Sequence, residues 1–144
     1  MTSEDGSSET AHGSCVAIGE RAVLFIGASG SGKSANALDL IAKGARLVAD
    51  DQVVLTKKAN GILATCITGF EGQIEARGLG VLEVDHTSSA NVVLIVDLDE
   101  MELHRLPPHR MKEILGEEIP LINGKDNWHL NAAIAALLRG ARIH

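Results

Sequence analysis

The run Gly27-Ala28-Ser29-Gly30-Ser31-Gly32-Lys33-Ser34 fills every fixed position of the pattern G-x-x-x-x-G-K-[S/T]. Glycines at those positions let the backbone turn tightly, so that successive N–H groups converge on a phosphate. The helix expected next adds the partial positive charge of its N-terminus. Lys33 would neutralise β- and γ-phosphate oxygens, and the Ser34 hydroxyl would ligate the Mg²⁺ that accompanies a nucleoside triphosphate. The flanks suit the task. An apolar, β-prone run, Ala22–Ile26, comes before the loop, and Ala37, Leu38, Leu40 and Ile41 recur after it at helical spacing, as far as Lys43-Gly44. All eight loop residues are therefore expected to bind nucleotide, and a mere Gly/Ser-rich connector is the bland alternative.

A phosphate loop also needs a carboxylate, either to hold Mg²⁺ or its waters or to accept a proton from the nucleophile. Two candidates stand in the chain. Asp97 ends the apolar run Val92–Val96, with Asp99 and Glu100 just beyond, as in an ordinary Walker B strand. Asp50-Asp51 ends the shorter run Ala45–Ala49, and Asp51 lies eighteen residues after Lys33. Adjacent carboxylates repel unless a cation or a role accommodates both. Spacing alone leaves the two candidates even.

These residues must be positioned by an α/β domain. Ser14–Ile18 and Ala22–Ile26 read as a hairpin that delivers the chain to the loop. Gln52–Thr56 and Ile62–Ile67 read as another around Asn60-Gly61. Gly69–Ile74 suggests a helical turn, Glu75–Gly80 a glycine-punctuated loop, and Val81–Val84 a strand. Asn91–Asp97 is apolar throughout and belongs at the centre of a sheet. The prolines of His104–Pro108 impose a loop. Glu117–Ile122 reads as a late strand, followed by an Asn123-Gly124 turn. Asp126 or Asn127 would cap a last helix, whose apolar stripe is Leu130, Ala133, Ile134, Leu137 and Leu138. Residues 1–11, polar and acidic, read as a loose tail, and residues 12–144 as a single domain.

Composition narrows the function classes. The net charge of −6 argues against nucleic acid or an anionic membrane as the main partner, and 2% aromatic residues leave little for base stacking. Cys15 and Cys66 lack metal-ligand spacing and read as reduced thiols. The other histidines, His86, His104, His109, His129 and His144, likewise have no metal-ligand spacing. No apolar run reaches membrane-spanning length and no signal sequence is evident, which fits a soluble cytoplasmic protein.

Four motifs taken together resemble the catalytic domain of HPr kinase/phosphorylase: His12-Gly13, the loop itself, Arg46-Leu47-Val48-Ala49-Asp50-Asp51 and Glu75-Ala76-Arg77-Gly78-Leu79-Gly80. The family's pattern has H-G, G-x-S-G-x-G-K-S, R-L-V-A-D-D and E-I-R-G-L-G in this order, and the resemblance is strongest over 12–84. It implies a phosphate-loop kinase domain related to phosphoenolpyruvate carboxykinase, with β-hairpins around a central sheet. The implied activity is ATP- and Mg²⁺-dependent phosphorylation of a serine on HPr, the phosphocarrier of the sugar phosphotransferase system. Phosphate-dependent dephosphorylation and a homo-oligomeric, usually hexameric, assembly are implied as well. Full-length members carry a further N-terminal domain, so the chain resembles a catalytic-domain-only form.

By position, the resemblance makes Ser34 and Glu75 the Mg²⁺ ligands, Asp51 the base on the serine hydroxyl with Asp50 beside it, and His12 their catalytic neighbour. Arg77 would face the partner protein, and Arg105 matches a catalytic arginine in a short D-R-L-G stretch. The chain departs from the family at Pro120–Lys125, where the pattern P-V-R-P-G-R loses both arginines. This puts dephosphorylation in doubt more than phosphorylation. Two readings compete: a generic NTPase or small-molecule kinase that uses Asp97, and a nucleotide-sensing module without turnover.

Overall fold

Successive side chains of a strand point to opposite faces, and in the strands around the loop both faces are apolar. The computed structural model describes residues 7–127 and 129–142. In β2 (Ser14–Ile18) and β3 (Arg21–Ile26), residues Cys15, Ala17, Ala22 and Leu24 enter one core, while Val16, Val23 and Phe25 enter another. A sheet buried on both faces needs a layer on each side. Helices α1 (Lys33–Ala42) and α2 (Leu130–Arg139) supply one, through Ala37, Leu40, Ile134 and Leu138. The other core is filled from within the curled sheet by β4 (Arg46–Ala49), β5 (Gln52–Lys58) and β6 (Gly61–Cys66), with Val48, Val53, Leu55, Ile62 and Ala64.

The long β9 (Ser89–Asp97) lies at the centre, as its apolar run predicts. It pairs with β3 in parallel along its length, with β6 antiparallel through Asn91 and its neighbours, and with β11 (Glu117–Asn123) in parallel through Ile95–Asp97. With β1 (Ser8–His12) first, the strand order is β1-β5-β6-β9-β3-β2-β4, a mixed sheet. The expected hairpins are present: β2 with β3, and β5 with β6 around Asn60-Gly61.

Three expectations are corrected. Ser8–Ala11, read as tail, lie in β1 (Ser8–His12), which pairs with β5 from Ser8 opposite Thr56 to His12 opposite Gln52. Backbone pairing outweighs the polar composition that suggested disorder. The first six residues of that tail and His144 lie outside the described residues. Gly69–Ile74 is not helical. Turns lead into β7 (Gln73–Ala76), which pairs with β8 (Gly80–Glu83), so the glycines of the expected loop form the bend of a hairpin. A strand missed in the sequence, β10 (Arg110–Ile114), pairs with β11; its residues Met111-Lys112-Glu113 are exposed and carry no apolar alternation.

Polar ties fix α2. Arg21, at the start of β3, donates through Nη1 to the carbonyls of Leu137, Leu138 and Gly140 (3.1, 3.1 and 2.7 Å), a cation on the negative end of the helix. Asn131, 2% exposed, donates through Nδ2 to Asn36 Oδ1 (2.9 Å) and Asp39 Oδ2 (3.0 Å) of α1. Lys43 first, and Asn131 second, hold the Asp39 carboxyl below its ordinary pKa. A depressed carboxylate pKa contributes stability above the unfolded value and loses it as pH falls through the folded one. Asn131→Leu is expected to cost about 1–3 kcal/mol in urea unfolding at neutral pH. The difference from wild type should shrink on acidification through the carboxylate range.

Candidate active site: a glycine-rich loop and two diverging aspartates

The loop between β3 and α1 has the backbone its glycines foretell. Gly32, at φ +100°, precedes the first helical residue, Lys33. Gly27 has φ +150°, and a Cβ there would stand 2.6 Å from Ser31 Oγ. Both positions exclude a side chain, for conformation in one case and for space in the other. The N–H groups of Ser29, Gly30 and Gly32 have no hydrogen-bond partner among the described residues, and the buried Ser31 hydroxyl has none either. Lys33 folds back and donates to the carbonyls of Gly27 (2.9 Å) and Ala28 (3.0 Å). Asn36 braces the other end of the loop, donating to the Gly32 carbonyl (2.8 Å).

The two aspartates sit where two bent chain segments run side by side. β1 continues into β2 through Gly13, and β4 continues into β5 through Asp50-Asp51. The Gly13 N–H donates to the Asp51 carbonyl at 3.0 Å. Asp51 adopts φ +67°, a left-handed conformation that aspartate tolerates better than most residues. That twist sends the adjacent carboxylates in different directions. Asp50 turns to the loop, where its Oδ1 accepts hydrogen bonds from Ser34 Oγ (2.8 Å) and Ser14 Oγ (2.6 Å). Its Oδ2 accepts from the Glu75 N–H at 3.2 Å. Asp51 turns to solvent beside His12, whose Nδ1 stands 3.8 Å from Asp51 Oδ1, both side chains being 74% exposed.

The structure thus brings together Lys33, Ser34, Asp50 and the β7 backbone at Glu75, with His12 and Asp51 at the adjoining turn. The pleat that buries Ile74 turns Glu75 outward. Arg77, in the β7–β8 bend, and Arg105, in the 101–109 loop, are exposed and make no hydrogen bond or ion pair among the described residues. Ser34 Oγ donates to Asp50, and no hydrogen bond joins it to Asp97 among the described residues. Asp97 Oδ1 accepts the Asp99 N–H (2.9 Å) and so shapes the turn after β9.

Two contributors escaped the sequence reading. Ser14, fully buried, is betrayed only as a polar residue at the head of an apolar strand. Asp99 receives the Ala28 N–H on both oxygens, at 3.0 and 2.9 Å; the one available signal was the Asp-x-Asp spacing at the end of β9. Ala28–Ser31 and Asp99 face Lys125, Asp126 and Asn127 across a cleft of about 320 Å³ beside the loop.

Comparisons with known proteins agree on one kinship. The family model of the HPr serine kinase C-terminal domain matches residues 5–123. The chain belongs to this family. The HPr kinase/phosphorylase of Chlorobium phaeobacteroides (strain BS1) is 37% identical over 124 residues, which cover 77% of this chain and 37% of that protein. The HPr kinase/phosphorylase of Malacoplasma penetrans (strain HF-2) is 31% identical over 133 residues, or 83% of this chain and 44% of that protein. The chain therefore spans less than half the length of these relatives. Among solved structures, the Hpr(Ser) kinase/phosphatase from Coxiella burnetii superposes with a TM-score of 0.78 at 27% identity, covering 91% of this chain and 88% of that one.

Removal of the Ser14 hydroxyl is expected to cost about 1–3 kcal/mol, because it takes one donor from a charged acceptor. In a double-mutant cycle measured by urea unfolding, Ser14→Ala and Asp50→Asn should cost less together than the sum of the two alone.

Proposed function

We propose that this chain is the catalytic part of a protein-serine kinase that transfers the γ-phosphoryl group of ATP to a serine of HPr or an HPr-like phosphocarrier. The observation that carries the reading is the divergence of Asp50 and Asp51: one carboxylate is bound to the Ser34 hydroxyl, and the other is open to an incoming partner. Kinship with HPr kinase/phosphorylases supports the choice of acceptor.

The loop's donors suit a triphosphate substrate. Unpaired N–H groups, an orphaned Ser31 hydroxyl and a lysine now resting on loop carbonyls all become satisfied when phosphate oxygens arrive. Among the described residues no three His, Cys, Asp or Glu side chains gather as a metal cluster. A Mg²⁺ ion, however, is ordinarily held by one or two protein oxygens together with substrate phosphates and water. Ser34 Oγ and Asp50 offer such hard oxygens, with Glu75 next to them. Held by these oxygens, Mg²⁺ would supply neutralisation of the negative charge that develops during transfer.

Asp51, exposed in its left-handed turn, takes the proton from the acceptor serine hydroxyl, and His12 orients it. Asp50 positions Ser34 rather than acting as base. Lys33 leaves the Gly27 and Ala28 carbonyls for the phosphate oxygens. Arg77 and Arg105, exposed and unpaired, contribute on docking of the acceptor: Arg77 toward the partner, Arg105 toward transferring charge. Where the family pattern has its two arginines, this chain places Ile122 and Lys125, and dephosphorylation is correspondingly weaker than phosphorylation. By the same kinship we infer a cytoplasmic homo-oligomer, hexameric as the family resemblance implies. No helix among the described residues is long and apolar enough to cross a membrane.

The test is transfer of label from ATP and Mg²⁺ to purified HPr, set against HPr with its acceptor serine changed to alanine. Label is expected on wild-type HPr only. Asp51→Asn should lower transfer by about a hundredfold or more, whereas Asp97→Asn should retain it. ATP hydrolysis without HPr labelling, lost in Asp97→Asn and kept in Asp51→Asn, would replace this reading with the generic NTPase.

A further inference from the structure

The Gly27–Ala28 turn is gripped from two sides by opposite charges. Lys33 Nζ donates to the carbonyls of Gly27 and Ala28, at 2.9 and 3.0 Å. Opposite it, Asp99 takes the Ala28 N–H on both carboxylate oxygens. These two holds differ in permanence. Resting on the nucleotide reading above, Lys33 is drawn from these carbonyls toward a phosphate, and the turn's cationic support then weakens.

Asp99 is built to stay. Its own N–H is held by Asp97 Oδ1 at 2.9 Å. Its turn is tied to β3 by the Leu98 N–H on the Ile26 carbonyl (2.9 Å). The Gly124 and Lys125 N–H groups donate to the carbonyls of Asp97 (2.8 Å) and Glu100 (3.0 Å), which anchor the turn from its other side. The carboxylate also lies close over the loop's first residue, since a Cβ on Gly27 would stand 3.3 Å from Asp99 Oδ1. The Ala28 N–H it occupies is thereby withdrawn from the anion-binding set, while those of Ser29, Gly30 and Gly32 remain unpaired among the described residues.

We propose that Asp99 is a positioning residue for the phosphate loop. It holds the Gly27–Ala28 turn by the Ala28 N–H, so that the loop keeps its shape when Lys33 moves from the turn's carbonyls to a phosphate. Asp97, rather than serving as a Walker B residue, steadies Asp99. The role belongs to a hydrogen-bond acceptor at that point and does not require a negative charge.

Two readouts test this on the whole chain, with Asp99→Ala, Asp99→Asn and, should the alanine variant not fold, Asp99→Ser. The first is hydrogen exchange at the Ala28 amide, followed by NMR without nucleotide. Protection is expected in wild type and Asp99→Asn and is expected to be lost in Asp99→Ala; exchange unaffected by Asp99→Ala overturns the proposal whatever the protein binds. The second is the split between KM for ATP and kcat in the HPr assay. Asp99→Ala should raise KM about three- to tenfold with kcat little altered, and Asp99→Asn should recover most of that loss. An asparagine variant as impaired as the alanine one, or a fall in kcat alone, overturns the positioning role. If wild type binds no ATP while Ala28 protection still depends on Asp99, the nucleotide reading fails and the tie itself stands.

Discussion

The site depends on one carboxylate oxygen. Asp50 Oδ1 accepts hydrogen bonds from Ser14 at the head of β2 and from Ser34 in the first turn of α1. A carboxylate acceptor makes these among the stronger hydrogen bonds available to a hydroxyl. Through them three separate pieces of chain, the β4–β5 corner, β2 and the Gly27–Ser34 segment, share a single point of reference. The second oxygen extends this to the β7 backbone. Little else needs to be rigid near the loop for Ser34 to be placed, because both serines are fixed by packed elements and Asp50 is fixed by them.

The same corner resolves the tension between adjacent acids. With Asp50 held inward, Asp51 must either crowd it or rotate away, and the left-handed backbone at Asp51 achieves the rotation. On the facing segment the Gly13 N–H donates to the Asp51 carbonyl, and glycine is needed there for closeness to β3, since a Cβ would meet the Phe25 carbonyl at 2.6 Å. One acid thus serves geometry, and the other is left to solvent and His12. The chemistry proposed for the site follows from this division rather than from any shared cluster of carboxylates.

The loop was legible because its demands are local. Gly27 and Gly32 are needed for space and for conformation within eight residues, and the strand and helix flanking them announce themselves by period. The apolar run of β9 was legible for the same reason. Tertiary pairing was not. β1 is a strand because β5 lies beside it, and nothing in Ser8–Ala11 signals that. On spacing the Asp50-Asp51 pair and Asp97 were equal candidates in the sequence, each at the end of an apolar strand. What separates them is which strand end meets Ser34. Antiparallel pairing of β4 with β2 brings Asp50 there, while Asp97 is spent on its own turn. Ser14 and Asp99 were hidden because each acts through a partner 36 or 71 residues distant.

The central claim is that Asp50 belongs to binding and Asp51 to chemistry. The most direct test is calorimetric binding of Mg·ATP to Asp50→Asn and Asp51→Asn, without acceptor protein. The account predicts that Asp51→Asn binds as wild type does, and that Asp50→Asn binds about tenfold or more weakly with a blunted response to Mg²⁺. Wild-type affinity in Asp50→Asn together with weakened binding in Asp51→Asn would contradict it.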